Sequence, residues 1–213
     1  MAATGLLASM LALTTMNASG ETWTRDKWDA CQDGSVMLKA LAKQAGLPES
    51  EGRRPLVLAA CGCARLALPY VMKGETRPLV AIKMAEAWAK PPSLYRRILG
   101  KKIAIKEVRD AAAHARAAAD EAAASNAQPA FYAAAAAGHA FYACDSSTAS
   151  YAVADAADTA SLAADAIARA AADAAASTAE ASVNSAAAKA KTLARCADIV
   201  RKYFPEPPAT APK

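Results

Sequence analysis

Three stretches decide the fold. Residues 111–124 read AAAHARAAADEAAA, residues 130–140 read AFYAAAAAGHA, and residues 149–176 read ASYAVADAADTASLAADAIARAAADAAA. From Ala111 to Thr192 there are 41 alanines in 82 residues. Alanine is the best helix former and a poor strand former, so these stretches exclude a β-rich or α/β fold. The fold class is all-α. The expected architecture is a bundle or short helical solenoid in which Ala-rich helices pack on a more conventional N-terminal helical core. Alanine buries little area per residue, so large side chains elsewhere must supply the core. The candidates are Leu56, Leu58, Leu66, Leu68, Val80, Ile82, Trp88, Ile98, Ile103, Ile105 and Val108. Phe131, Tyr132, Phe141, Tyr142 and Tyr151 read as bulky knobs spacing the thin helices apart.

Working outward, punctuation sets the helix limits. Thr24 can cap a short helix through Cys31, and Asp33 a second one from Ser35 to Ala45 with Gly46 as its stop. Pro55 opens a run to about Met72 whose stretch Leu56 to Ala64 carries no charge, which predicts a central helix buried all round. Pro78 starts a helix to Ala89, and Pro91-Pro92 end it. Ser93 caps a short turn, and Gly100 breaks the chain before a helix from about Ile103 to Ser125. Pro129 restarts a helix that ends near Cys144, followed by Asp145-Ser146-Ser147 as the next cap. From Thr148 to Phe204 no residue forces a stop in 57 residues. That helix would be about 85 Å long, against a diameter of about 45 Å for a compact domain of this size. A break is therefore expected at Ser177-Thr178 or within Ser182 to Ser185.

The expected organisation is an N-terminal extension over residues 1–20, one all-α domain over 21–204, and a disordered Pro-rich tail over 205–213. Residues 4–16 (TGLLASMLALTTM) have the apolarity of a signal segment but lack the preceding Lys or Arg of a secretory leader. No stretch reads as a membrane span. The five cysteines, Cys31, Cys61, Cys63, Cys144 and Cys196, are odd in number and mostly helical, which reads as reduced thiols in a cytoplasmic protein.

Charge is distributed unevenly. Residues 1–106 hold 16 Lys+Arg and 8 Asp+Glu, whereas residues 107–203 hold 8 and 11. At 100° per residue, Asp155, Asp158, Asp165, Arg169, Asp173 and Glu180 fall within an arc of about 80° on one continuous helix. Such an acidic stripe is either a solvated outer face or a docking surface for a basic protein partner. Arg96-Arg97 and Lys101-Lys102 lack aromatic interleaving or a nucleic-acid motif, so no nucleic-acid partner is expected.

The chemistry-bearing residues are few. Cys61 and Cys63 lie about 200° apart on a helix and cannot chelate one ion, so no metal site is assigned. His114 and His139 each read as an interhelical hydrogen-bonding group. No nucleophile elbow, phosphate loop or dinucleotide glycine pattern occurs, so neither catalytic residues nor a cofactor are assigned.

The run Ala136-Ala137-Gly138-His139-Ala140, within tandem Ala-rich helices, resembles an immunity protein family found beside bacterial polymorphic toxins. Leu58-Ala59-Ala60-Cys61-Gly62-Cys63-Ala64-Arg65 and the proline-led helix from Arg77 to Ala89 are similar to segments of the same family. The opening Trp28 to Gly34, the Met37-Leu38 pair and the ending Ala194 to Arg201 resemble a related group of bacterial Ala-rich proteins. The resemblance implies an all-α, non-enzymatic protein that neutralises a cognate toxin. The acidic stripe, Asp155, Asp158, Asp165, Asp173 and Glu180, is then the candidate partner-binding surface. The alternatives are a helical scaffold protein and an enzyme using His114 or His139. The sequence leaves the oligomeric state open.

Overall fold

The computed structural model describes residues 23–47, 50–90, 104–147, 149–175 and 177–208. Among them the regular structure is entirely helical: α1 (Arg25–Ala30), α2 (Gly34–Ala40), α3 (Ala42–Ala45), α4 (Arg53–Ala67), α5 (Arg77–Ala89), α6 (Ile105–Ala124), α7 (Gln128–Asp145), α8 (Ala149–Asp173) and α9 (Thr178–Tyr203). A single 3-10 turn, Leu68–Tyr70, follows α4.

Local chemistry sets these limits. The Thr24 hydroxyl accepts from the Lys27 N–H, and the Asp33 carboxylate accepts from the Ser35 and Val36 N–H groups, each satisfying helix-end donors. Gly46, at φ +60°, ends α3 in a conformation most side chains avoid. The α6–α7 break falls where Ser125 and Pro129 place it. Asn126 adopts φ +53°, and the Asn126 and Ala127 N–H groups close back on the Ala123 and Ala122 carbonyls, a left-handed C-terminal cap. The long C-terminal stretch breaks between Asp173 and Thr178, at the first of the two expected places. Ser177 caps α9 by accepting from the Glu180 N–H. The expected Ser93 turn lies outside the described residues.

α4 is the hub and packs against α5, α7, α8 and α9, while each helix from α5 to α9 also packs on the next. In a solenoid each unit touches only its neighbours; contacts from α4 to three helices distant in sequence make this a bundle. As its uncharged run predicts, α4 is buried or half-buried from Arg53 to Ala64. Cys61 and Cys63 take opposite sides: the Cys61 thiol faces the Ile82 carbonyl of α5 at 3.9 Å, and Cys63 meets Cys196 of α9. All five thiols are free, and four of them are buried.

Leu56, Ile82 and Val108 are in the core as expected, with Leu58, Leu66, Leu68, Trp88 and Ile105 half-buried against it. Val80 is not: it is 48% exposed on the outer side of α5. Ile98 and Ile103 lie outside the described residues. Trp28, Met37, Leu38 and Leu41 supply core volume not assigned from sequence. Phe141 is a buried knob, but Tyr151 is 67% exposed. α1 meets the end of α9: Trp28 Nε1 donates to the Phe204 carbonyl at 3.0 Å, and Arg201 donates to the Trp28 and Cys31 carbonyls. Beyond α9, Glu206 pairs with Arg25 at 2.6 Å.

Candidate functional site

α8 carries most of the predicted stripe. It is packed by α7, α4, α2, α3 and α9. Its buried residues, among them Ala152, Ala156, Thr159, Ala163 and Ala166, face those neighbours, and the charged residues occupy what is left. The buried Thr159 hydroxyl is satisfied by the Asp155 carbonyl of its own helix at 2.8 Å.

The five acids do not form one uniform surface. Asp155 is half-buried and turned toward α7: its Oδ1 lies 3.3 Å from His139 Nδ1, and its Oδ2 accepts from the Ser146 hydroxyl at 2.7 Å. The His139 ring stands edge-on to Tyr142 at 5.8 Å. This cluster fastens the end of α7 to the second turn of α8, as expected of an interhelical histidine. Ser146, expected to cap the following helix, spends its hydroxyl on Asp155 and the Tyr142 carbonyl. Asp165 pairs with Lys189 of α9 at 2.6 Å. Of the acids on α8 only Asp158 and Asp173 are exposed, with exposed Arg169 between them. They stand about 22 Å apart along the axis.

Glu180 belongs to the next helix. The stripe was drawn on a continuous helix, but the backbone leaves helical geometry before Thr178, so the 100° count does not carry across. Glu180 sits instead in the first turn of α9, where a carboxylate complements the helix dipole. His114 is exposed on α6 and takes no part in the His139 cluster. Arg96, Arg97, Lys101 and Lys102 lie outside the described residues.

Sequence reasoning missed Arg53. Its side chain is buried, and its guanidinium donates to the carbonyls of Ala45, Gly46, Ala143 and Ser146, at 3.4, 2.7, 3.0 and 3.0 Å. These are orphan acceptors at the C-terminal ends of α3 and α7, where the dipoles are negative. Burial lowers the affinity of Arg53 for its proton, yet a guanidinium stays charged in proteins. The only sequence hint is that a first-turn arginine is mildly unfavourable to its own helix dipole, a hint that Arg54 and Arg77 share and that does not single out Arg53. Through its carbonyl partners Arg53 ties the N-terminal end of α4 to the C-terminal end of α7 and to Ser146, just before α8.

No group of three or more His, Cys, Asp or Glu side chains among the described residues is placed to hold a metal ion. No described helix is long and apolar enough to cross a membrane. Compared with known proteins, the chain matches no family model, no curated protein and no solved structure.

Proposed function

We propose that this chain is a non-enzymatic protein-binding module of the cytoplasm that neutralises a basic, toxin-like protein, with the outer edge of α8 as its docking surface. The reading rests on one observation: α8 is held by five other helices and keeps Asp158 and Asp173 exposed on a rigid frame. Charges fixed in this way need no ordering on binding, which lowers the entropic cost of association. Their sign favours encounter with a basic surface. The partner class is part of the proposal and follows only from the resemblance read in Leu58 to Arg65, Arg77 to Ala89 and Ala136 to Ala140, which no family model matches. Asp155 and Asp165 are left out of the docking set, because each is engaged within the fold.

The test is the double reversal Asp158→Lys/Asp173→Lys, assayed against the purified product of the adjacent gene. Binding is expected to weaken at low ionic strength by about tenfold or more and to differ less at high salt. An unchanged circular-dichroism spectrum and melting temperature would show the fold intact. Binding that is equally tight at low salt removes the α8 edge from the interface.

A further inference from the structure

Two thiols with no part in the α8 surface meet in the core. Cys63 of α4 and Cys196 of α9 hydrogen-bond to each other, and neither has any exposed surface. The two helices approach closely at this point: a Cβ at Gly62, beside Cys63, would meet Ile199 Cγ2, about one turn beyond Cys196, at 2.8 Å. α9 buries side chains only in its C-terminal half, at Thr192, Cys196, Ala197 and Val200, and no residue from Thr178 to Lys191 is buried. A bond between Cys63 and Cys196 would fasten that half to the hub. The other buried thiols are differently placed. Cys61 faces the Ile82 carbonyl, and Cys144 donates to the Ala140 carbonyl of its own helix, each at 3.9 Å.

The cover over Cys196 is α2. A Cβ at Gly34 would meet Cys196 Cβ at 2.5 Å, so the glycine backbone lies directly against this side chain. α2 has seven residues and follows the six-residue α1. Helices this short have little stability of their own and stay folded through their packing. Such segments unfold locally at lower cost than the core helices beneath them.

We propose that Cys63 and Cys196 are a latent disulfide pair, oxidised by a low-molecular-weight disulfide when α2 lifts from Cys196, and that the bond locks α9 to α4. The uncovered Cys196 thiol gives up its proton and attacks one sulfur of the small disulfide, whose S–S bond breaks and releases one small thiol. Cys63 then gives up its proton and attacks Cys196 Sγ, and the second small thiol leaves as the Cys63–Cys196 bond forms. Two protein thiols are oxidised, and the small disulfide is reduced to two thiols. With α2 in place the exchange cannot start, because both sulfurs are covered and contact with Cys196 together with burial pushes the Cys63 thiol up. This inference does not depend on the α8 edge as a docking surface.

Incubation of the full chain with oxidised glutathione, followed by alkylation under denaturing conditions and peptide mass mapping, tests it. The expected product carries a Cys63–Cys196 link, with Cys61 and Cys144 still free to be alkylated. Its melting temperature should rise by about 5–15 °C and return on treatment with dithiothreitol. Cys63→Ala is expected to leave glutathione on Cys196, and Cys196→Ala to leave Cys63 unmodified. Gly34→Ala, which forces α2 away from α9, should speed formation of the link by about tenfold. A parent and a Gly34→Ala variant that both form no link overturn the proposal. So does a link from Cys196 to Cys31, or glutathione uptake by Cys61 and Cys144 as fast as the link forms, which would mark global unfolding as the route. A rate indifferent to Gly34→Ala refutes α2 as the cover.

Discussion

Replacing Gly34 with alanine should loosen the contact between α2 and α9. A Cβ built at Gly34 meets Cys196 Cβ at 2.5 Å, the Cys196 carbonyl carbon at 2.6 Å and the Ala197 nitrogen at 2.7 Å. Favourable carbon contacts lie at about 3.5–4.0 Å, so α2 and α9 would have to separate by about 1 Å. Two of the three atoms are backbone, so no rotamer change relieves the clash. Overpacking of this kind costs about 1–3 kcal/mol, while alanine in the first turn of a short helix returns only part of the roughly 1 kcal/mol that separates it from glycine. The net expectation is a loss of about 1–2 kcal/mol, or about 2–8 °C in melting temperature for a chain of this length. Gly138 supplies the opposite case. It is buried in α7, but a Cβ there has nothing within 4 Å, so Gly138→Ala should stabilise by about 0.5–1 kcal/mol through backbone entropy alone. Thermal melts followed at 222 nm on the parent and both variants give the comparison. The same substitution should move the two sites in opposite directions. Equal stability of parent and Gly34→Ala would refute the packing argument.

Arg53→Ala leaves carbonyls at the ends of α3 and α7 without their buried donor and should cost about 3–5 kcal/mol by chemical denaturation, with Arg53→Lys recovering only part because an ammonium cannot reproduce the planar fork. In Glu86, burial pushes the carboxyl up, but Arg65 and Lys90 together outweigh it and hold the net value low; Glu75 is held low by Arg77. A depressed carboxylate stabilises the fold above its unfolded pKa and loses that contribution as pH falls through the folded one. Stability should therefore decline below about pH 4.5, and Glu75→Gln/Glu86→Gln should make the acid limb of the stability profile shallower. Burial pushes the Cys61 and Cys144 thiols up, and contact with Cys196 together with burial pushes up Cys63, so iodoacetamide at neutral pH should label half-buried Cys31 first and reach the others only on unfolding.

The helices themselves were legible because their signals are local. Thr24, Asp33 and Ser177 each bond donors within three residues, and Gly46, Pro78 and Pro129 act through their own backbone torsions. The central position of α4 was legible for the same kind of reason, since a run without charge can be covered on every side. The candidate surface was legible only in part. Helical periodicity grouped Asp155, Asp158, Asp165 and Asp173 correctly on one helix, but it cannot show that His139 and Ser146 claim Asp155 or that Lys189 claims Asp165. Val80 was misplaced because an apolar residue at helical spacing faces the core only if a neighbouring helix lies on that side.

Composition and punctuation, then, fixed the helical class of the described residues, the central place of α4 and most helix ends, because alanine content, caps and prolines act over one turn of backbone; the interruption at Leu41, which divides the helix expected from Ser35 to Ala45, was not among them. Which acids remain exposed, where Arg53 reaches, and which half of α9 stays uncovered were decided by helix–helix packing. Those outcomes depend on partners 7 to 93 residues away in the chain, on other elements, and no pattern within one helical turn encodes them.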